Sequence, residues 1–306
     1  MLDWQEFTKV DHNEWLARID ADLKGVKTQN DFRYEIDQNW SVSPFLSDVS
    51  MDEEVIPGPS TQAGVYILTD DVGKANERAL RCLEHGAQGL VFDVNADTDF
   101  HELFKGIYLD MVTVMLRSQG EHETIKNRLQ GYLVASEQNG NNIYLAAGEN
   151  TVILTWDEGF KSRNTAIRNH LQVCFIKNIR PLIILQLKQN FLAQIAELRA
   201  IRRIWKNLGG KAGDLSVFSM ITPSLFGMTG VHDLIVSTYL LMSAICGMSD
   251  MAVGMPYGED FEPARLSLNI QHILQQESRL TQVTDPVAGS YLIGKLTDEM
   301  ISGNSQ

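Results

Sequence analysis

Residues 261–301 read FEPARLSLNIQHILQQESRLTQVTDPVAGSYLIGKLTDEMI, and they give the clearest indication of the architecture. The stretch predicts a helix, because Asp260 can cap it and Pro263 stands where a missing N–H costs little. Four apolar residues fall on one face at helical spacing: Leu266, Ile270, Ile273 and Leu274. Turn-forming residues at 285–290 then break the pattern, and residues 291–298 predict a second helix.

The same stretch also carries a recognisable set of letters, A-R-x-x-x-N-x-Q-x-x-L-x-Q-E-S, followed by D-P-x-x-G-S-Y and L-T. In this chain those letters are Ala264-Arg265, Asn269, Gln271, Leu274, Gln276-Glu277-Ser278, Asp285-Pro286, Gly289-Ser290-Tyr291 and Leu296-Thr297. The stretch therefore resembles the end of the substrate barrel in the methylmalonyl-CoA mutase family.

Three further segments resemble the same family. The strongest is a helix predicted at 189–208, and weaker matches lie near 75–90 and in residues 15–45. The matching residues are Asn190-Phe191, Ile195-Ala196, Leu198-Arg199-Ala200, Arg202-Arg203-Ile204-Trp205, Ala75-Asn76, Ala79-Leu80, Gly86-Ala87, Leu90, Trp15, Ile19, Asp22-Leu23-Lys24-Gly25, Val42, Pro44 and Phe45. The resemblance covers nearly the whole chain and is thinnest between 95 and 180.

Short apolar runs alternate with helical segments from about residue 62 onward. We predict eight strands, at 64–68, 89–94, 111–116, 142–147, 151–156, 182–187, 215–221 and 251–255. We predict the main helices at 72–84, 99–109, 121–137, 189–208 and 231–247. Strands that are apolar throughout are typical of a parallel sheet covered by helices. Eight such strands favour a TIM-like (β/α)8 barrel over an open doubly wound sheet.

The predicted domain organisation has two parts. Residues 1–60 form an N-terminal extended arm and linker, and residues 61–306 form the barrel of the acyl-CoA mutase type. The arm is too short for a core of its own, yet it is rich in aromatic residues. These are Trp15, Phe32, Tyr34, Trp40 and Phe45. Because the arm of the family wraps the partner subunit, we expect residues 1–60 to mediate subunit association.

Composition excludes several classes of partner. The chain of 306 residues has a net charge of −13, so neither nucleic acid nor an anionic membrane surface is an expected partner. Its N-terminus does not resemble a signal peptide, and no apolar run is long enough to span a bilayer. The three cysteines predict buried thiols, and the seven histidines lack metal-ligand spacing. We therefore expect a cytoplasmic protein without a metal site.

The resemblance implies a radical rearrangement of an acyl-CoA that depends on adenosylcobalamin. Active members ligate cobalt through D-x-H-x-x-G in a C-terminal cobalamin domain. This sequence does not contain the motif, and we expect no cobalamin domain on this chain. Residues 99–104 only begin like the motif. Where active members carry Gly-Tyr-His, this chain has Thr155-Trp156-Asp157. Their motif G-x-T-Q-S-L-H-T-N-x-x-D-E aligns with residues 247–259 of this chain, and only the first Gly and the last Glu agree. We expect no catalytic residue and no cofactor on this chain, with adenosylcobalamin on the partner subunit.

One ligand position of the family remains. Active members read R-L-S-F where this chain has Arg180-Pro181-Leu182-Ile183, so the resemblance makes Arg180 a candidate contact to coenzyme A. From the residues alone, the simpler interpretation is that Arg180 closes a turn before Pro181.

Three functions remain open. The first is a small, non-catalytic subunit that pairs with a homologous large subunit isomerising methylmalonyl-CoA and succinyl-CoA. The second is an acyl-CoA mutase barrel that uses a cobalamin domain on another chain. The third is a repurposed barrel that binds an acyl-CoA as a homodimer. The missing Tyr-His argues against the second, whereas the sequence does not separate the first from the third.

Overall fold

The computed structural model describes residues 10–37, 40–43, 46, 60–118, 120–155, 157–222, 230–254 and 260–303. Sequence predictions for Pro44, Phe45, Trp156 and residues 255–259 lie outside the described residues. Within them, no helix is both long and apolar enough to cross a membrane.

A TIM-like (β/α)8 barrel forms the body of the protein, which confirms the predicted fold class. Before the barrel lie helix α1 (His12–Leu23), a short 3-10 helix (Gln29–Phe32) and an antiparallel hairpin of β1 (Tyr34–Asp37) and β2 (Trp40–Val42). The eight barrel strands are β3 (Gln62–Ile67), β4 (Gly89–Val94), β5 (Thr113–Ser118), β6 (Ile143–Ala146), β7 (Thr151–Leu154), β8 (Leu182–Gln186), β9 (Ser216–Met220) and β10 (Met251–Val253). Their order is β6-β5-β4-β3-β10-β9-β8-β7, and every pairing is parallel.

The barrel is nearly closed, and β6 and β7 are its two edge strands. Residues 147–150 join these two strands directly, so this crossover contains no helix. We call the gap between β6 and β7 the seam. At every other crossover a helix covers the outside of the sheet, which buries the outer side chains of the strands.

The helical layer consists of α2 (Val72–Glu84), α3 (Phe100–Leu103), α4 (His122–Ser136), α5 (Phe160–Lys177), α6 (Phe191–Asn207), α7 (Gly230–Cys246), α8 (Glu262–His272), which continues as a π-helical turn (Ile273–Glu277), and α9 (Tyr291–Ser302). Two large apolar cores fill the space between helices and sheet, one around α2 and α4 and one around α5, α6 and α9. Helix α6 is buried over most of its length, because α9, α7 and α5 all pack against it.

Two local predictions were wrong, and one helix was missed. The predicted helix 99–109 ends at Leu103, and Gly106 follows with a φ of +77°, a conformation outside the right-handed helix. Helix α5 was not predicted at all. In α8 the buried face contains Ser267, Leu268 and Gln271, whereas Ile273 is exposed. This face of α8 turns inward because the Gln271 side chain hydrogen-bonds the backbone N–H and C=O of a barrel glycine, as described below.

The arm does not behave as one unit. The β1–β2 hairpin packs on its own barrel, where Trp40 is only 5% exposed, donates from Nε1 to Glu299 at 2.8 Å and meets Phe160 edge-on. The Asp37 carboxylate accepts from the backbone N–H of Phe160 at 2.6 Å, so the hairpin caps α5. Helix α1, in contrast, has no buried residue. Trp40, one of the five aromatic residues of the expected association arm, instead belongs to the core of its own chain.

Candidate functional site

Side chains fill the lumen of the barrel. The residues that point inward and are buried form what we call the lumen cluster: Val91, Met115, Ala146, Leu182, Ile184, Phe218, Met220, Met251 and Val253. Met251 on β10 occupies the space above two glycines, Gly64 on the adjacent strand β3 and Gly89 on the next strand β4. A Cβ on Gly89 would lie 2.1 Å from Met251 Sδ, and one on Gly64 would lie 2.9 Å from Met251 Cγ. Both positions therefore require glycine, because a larger residue would overlap the Met251 side chain.

A polar cluster lies above this packed layer, at the carboxyl ends of three adjacent strands. We call Tyr66 on β3, Asp93 on β4 and Arg117 on β5 the mouth cluster. The Tyr66 hydroxyl donates to Asp93 Oδ2 at 2.5 Å, and Arg117 Nε lies 3.3 Å from Asp93 Oδ1. The Arg117 guanidinium also stands over the Tyr66 ring, 5.3 Å from its centroid. TIM barrels place their binding residues at this end of the strands.

Burial is the main influence on the pKa of Tyr66 in the mouth cluster. It raises the pKa of the Tyr66 hydroxyl, and the hydrogen bond to the Asp93 carboxylate raises it further. Tyr66 thus remains a neutral donor to Asp93 through the physiological range. Sequence reasoning missed all three residues. The signal that could have found them is a charged residue near the end of an otherwise apolar barrel strand, as in β4 and β5.

Arg180, the candidate coenzyme A contact, lies at the opposite end of the barrel. It precedes β8, its side chain is 80% exposed, and its Nε lies 3.3 Å from the Asp214 carboxylate. It also borders a cleft of about 620 Å³ along the seam, which we call the seam cleft. The cleft runs past Tyr144 and Leu129, and His122 lines it as well. The structure thus does not bring Arg180 together with the mouth cluster.

Many of the polar residues that carry the family resemblance hold the scaffold together. Arg199 on α6 donates to both oxygens of the buried Asp285, which anchors the loop before α9. Arg202 donates to Met248 O at 2.9 Å and reaches Asp250 at 3.1 Å. Burial raises the pKa of Asp250, while Arg202 opposes that change.

Two amides from the matching segments act in the same way. Gln271 on α8 accepts from the backbone N–H of Gly64 at 3.3 Å and donates to its carbonyl at 3.2 Å, which fixes α8 against β3. Asn190 caps α6 by accepting from Ala193 N at 3.2 Å, and the same oxygen accepts from the Tyr34 hydroxyl of the hairpin. In these segments, the residues that match the family motifs therefore stabilise the scaffold and are not evidence of a catalytic role.

A fully buried ion pair lies between α5 and α6. Arg163 donates to Glu197 at 2.8 Å, and Gln194 donates to the same carboxylate oxygen at 2.9 Å. Burial raises the pKa of Glu197, and the charge of Arg163 counteracts it. A second nitrogen of Arg163 donates to Gln186 O at 3.1 Å, so the pair is tied to the carboxyl end of β8.

The segment that begins like the family's cobalt-ligating motif has a structural role in this chain. Asp99 accepts from the backbone N–H groups of His101 and Glu102, so this segment is the start of α3. The His101 ring packs edge-on against Tyr132, 4.9 Å away. Among the described residues no group of three or more His, Cys, Asp or Glu could hold a metal ion. All three cysteines are buried free thiols, as predicted, and burial raises the pKa of Cys246 to about 11.

The fold and the lumen define an α/β barrel whose lumen cluster leaves little room along the barrel axis. A family model described as methylmalonyl-CoA mutase matches residues 146–306, more than half of the chain. The chain therefore belongs to the methylmalonyl-CoA mutase family.

Relatives in the same family differ in how much of the chain they match. A "Methylmalonyl-CoA mutase small subunit" of Porphyromonas gingivalis (strain ATCC BAA-308 / W83) is 23% identical over 396 residues, covering 97% of this chain and 62% of that protein. The methylmalonyl-CoA mutases of Rhizobium meliloti (strain 1021) and Escherichia coli (strain K12) are 31% and 33% identical, over 36% and 35% of this chain and 17% of each relative. The chain thus spans less than two thirds of the length of these relatives.

Proposed function

We propose that this chain is the non-catalytic subunit of a two-subunit mutase. In this proposal it pairs with, and stabilises, a homologous large subunit that isomerises methylmalonyl-CoA and succinyl-CoA and carries the adenosylcobalamin in the cytoplasm. The observation that carries the proposal is the filled lumen, above all Met251 lying against Gly64 and Gly89. A substrate that threads the barrel would have to displace these packed side chains, at a cost of several kcal/mol.

Helix α1 supports the association part of the proposal. It carries Trp15, Leu16, Ile19 and Leu23, yet none of its residues is buried. Apolar groups left at the surface in this way usually mark an interface. We infer that residues 1–60 act as the association arm mainly through α1, since the β1–β2 hairpin packs against its own barrel.

Co-expression with a full-length large subunit tests the proposal. We expect a complex on size-exclusion chromatography, and mutase activity that outlasts that of the large subunit alone on heating. Ile19→Asp should weaken the complex, because it places a charge on the apolar face of α1. Arg18→Ala is the matched control, since Arg18 is highly exposed on the same helix. A large subunit that elutes alone beside this chain would overturn the proposal.

A second candidate is acyl-CoA binding by a homodimer, and the seam cleft favours it. The cleft has the volume of a small-molecule site, and Arg180 lines it beside apolar side chains. Calorimetric titration of coenzyme A tests this candidate. Arg180→Ala should weaken binding by about ten- to a hundredfold, as expected when a charge-assisted hydrogen bond is lost. Arg265→Ala, which removes a surface arginine paired with Glu262, serves as the control. No heat at millimolar coenzyme A would reject the candidate.

A further inference from the structure

The mouth cluster leaves hydrogen-bonding groups of two kinds unused. Asp93 Oδ1 is buried and accepts no hydrogen bond from the described residues, although Arg117 Nε lies 3.3 Å away. The terminal nitrogens of Arg117 likewise have no partner among the described residues. A guanidinium has five N–H donors and no acceptor, so several of its donors remain available. A buried acceptor without a donor is costly, and a ligand that donates to it would recover that free energy.

The surroundings hold the two groups in place. The second oxygen of Asp93 is occupied by the Tyr66 hydroxyl at 2.5 Å, and the Arg117 guanidinium stands over the Tyr66 ring. Below them the lumen cluster, including Val91 and Met115, closes the barrel. Among the residues that the structure describes, the mouth is therefore the side from which the end group of a ligand can reach Asp93 and Arg117. Fixed partners of this kind reduce the entropy that binding would otherwise cost.

Charge narrows the class of ligand. The mouth cluster contributes one carboxylate and one guanidinium, and since these charges cancel, a neutral polar group fits better than an ion. A carboxylate ligand has no N–H for Asp93, and an ammonium group has no acceptor for Arg117. An amide has both functions side by side. We propose that the mouth of the barrel binds a small neutral ligand through an amide group, whose carbonyl accepts from Arg117 and whose N–H donates to Asp93 Oδ1.

This site is separate from the proposed subunit role and does not depend on it. Its test compares two molecules of equal shape, acetamide and acetate, titrated into the full chain labelled with ¹⁵N-arginine. We expect acetamide to shift the Arg117 Nε resonance saturably, and acetate to bind at least about tenfold more weakly. Equal or tighter binding of acetate would overturn the proposal, as would the absence of any saturable shift.

Three comparisons locate the binding: two use variants of the chain, and the third uses a ligand analogue with the wild-type chain. Arg117→Met should weaken acetamide binding about tenfold or more, because a hydrogen bond to a charged group is lost. Arg180→Met is the matched control and should leave acetamide binding unchanged. Arg180 also lies 3.3 Å from a carboxylate, but at the other end of the barrel. On the wild-type chain, N,N-dimethylacetamide keeps the carbonyl but has no N–H, and it should not bind. Binding that survives Arg117→Met, or that dimethylacetamide reproduces, would refute the assignment.

Discussion

Met251→Ala is the substitution that probes the filled lumen most sharply. The Met251 side chain is fully buried, and it fills space above Gly64 and Gly89, neither of which has a side chain that could move into the cavity. Truncation should therefore leave most of the cavity open. Met→Ala in such a site costs about 2–5 kcal/mol, and we expect the upper half of that range.

Urea unfolding followed by circular dichroism measures this loss. Met111→Ala is the matched control, because Met111 is 79% exposed and its truncation should change the free energy of unfolding by less than about 0.5 kcal/mol. Gly89→Ala should also destabilise, by about 1–3 kcal/mol, because its new methyl group would overlap Met251 Sδ. In the double variant the two effects should partly cancel. A Met251→Ala chain as stable as wild type would refute the packed-lumen reasoning.

Three further predictions follow from named contacts. Glu197→Gln should destabilise the chain by about 3–5 kcal/mol in urea unfolding, since the charge of Arg163 is left buried without a counter-ion. Its control, Glu262→Gln in a surface ion pair, should cost at most about 1 kcal/mol. Trp40→Ala should cost about 3–5 kcal/mol of unfolding free energy in the isolated chain, whereas Trp15→Ala should leave stability nearly unchanged and weaken association in sedimentation analysis. The pKa of Tyr66 is raised in the folded state, so its stabilising effect is present below the unfolded pKa of about 10 and is lost as pH rises above it. The stability difference between wild type and Tyr66→Phe should then stay constant below pH of about 9 and shrink as the pH rises above about 10. A difference that stays constant above that pH would contradict this.

The strands could be predicted from the sequence because each is a short run of apolar residues, and β4 and α2 match their predicted bounds. Helix α5 could not be predicted, because its hydrophobic pattern is in part the reverse of the usual one. It buries the charged Arg163, while Val173 and Ile176 are exposed. Helical periodicity is visible only when the buried face is apolar, and here an ion pair with Glu197 replaces part of it.

The mouth cluster could not be predicted for a different reason. Tyr66, Asp93 and Arg117 are far apart in sequence, and only the register of three parallel strands brings them together. Arg180 was found through the resemblance, but a resemblance does not locate a side chain. Because Arg180 precedes its strand, it lies at the amino end of the barrel, away from the mouth.

The most direct test of the central claim is a mutase assay on the isolated chain, followed by addition of the large subunit. Methylmalonyl-CoA and adenosylcobalamin are supplied, and succinyl-CoA is measured together with the cob(II)alamin signal in electron paramagnetic resonance. A packed lumen predicts no turnover and no radical signal from the chain alone, and activity that appears only with the large subunit. Substrate-dependent turnover or a cob(II)alamin signal from the isolated chain would contradict the account.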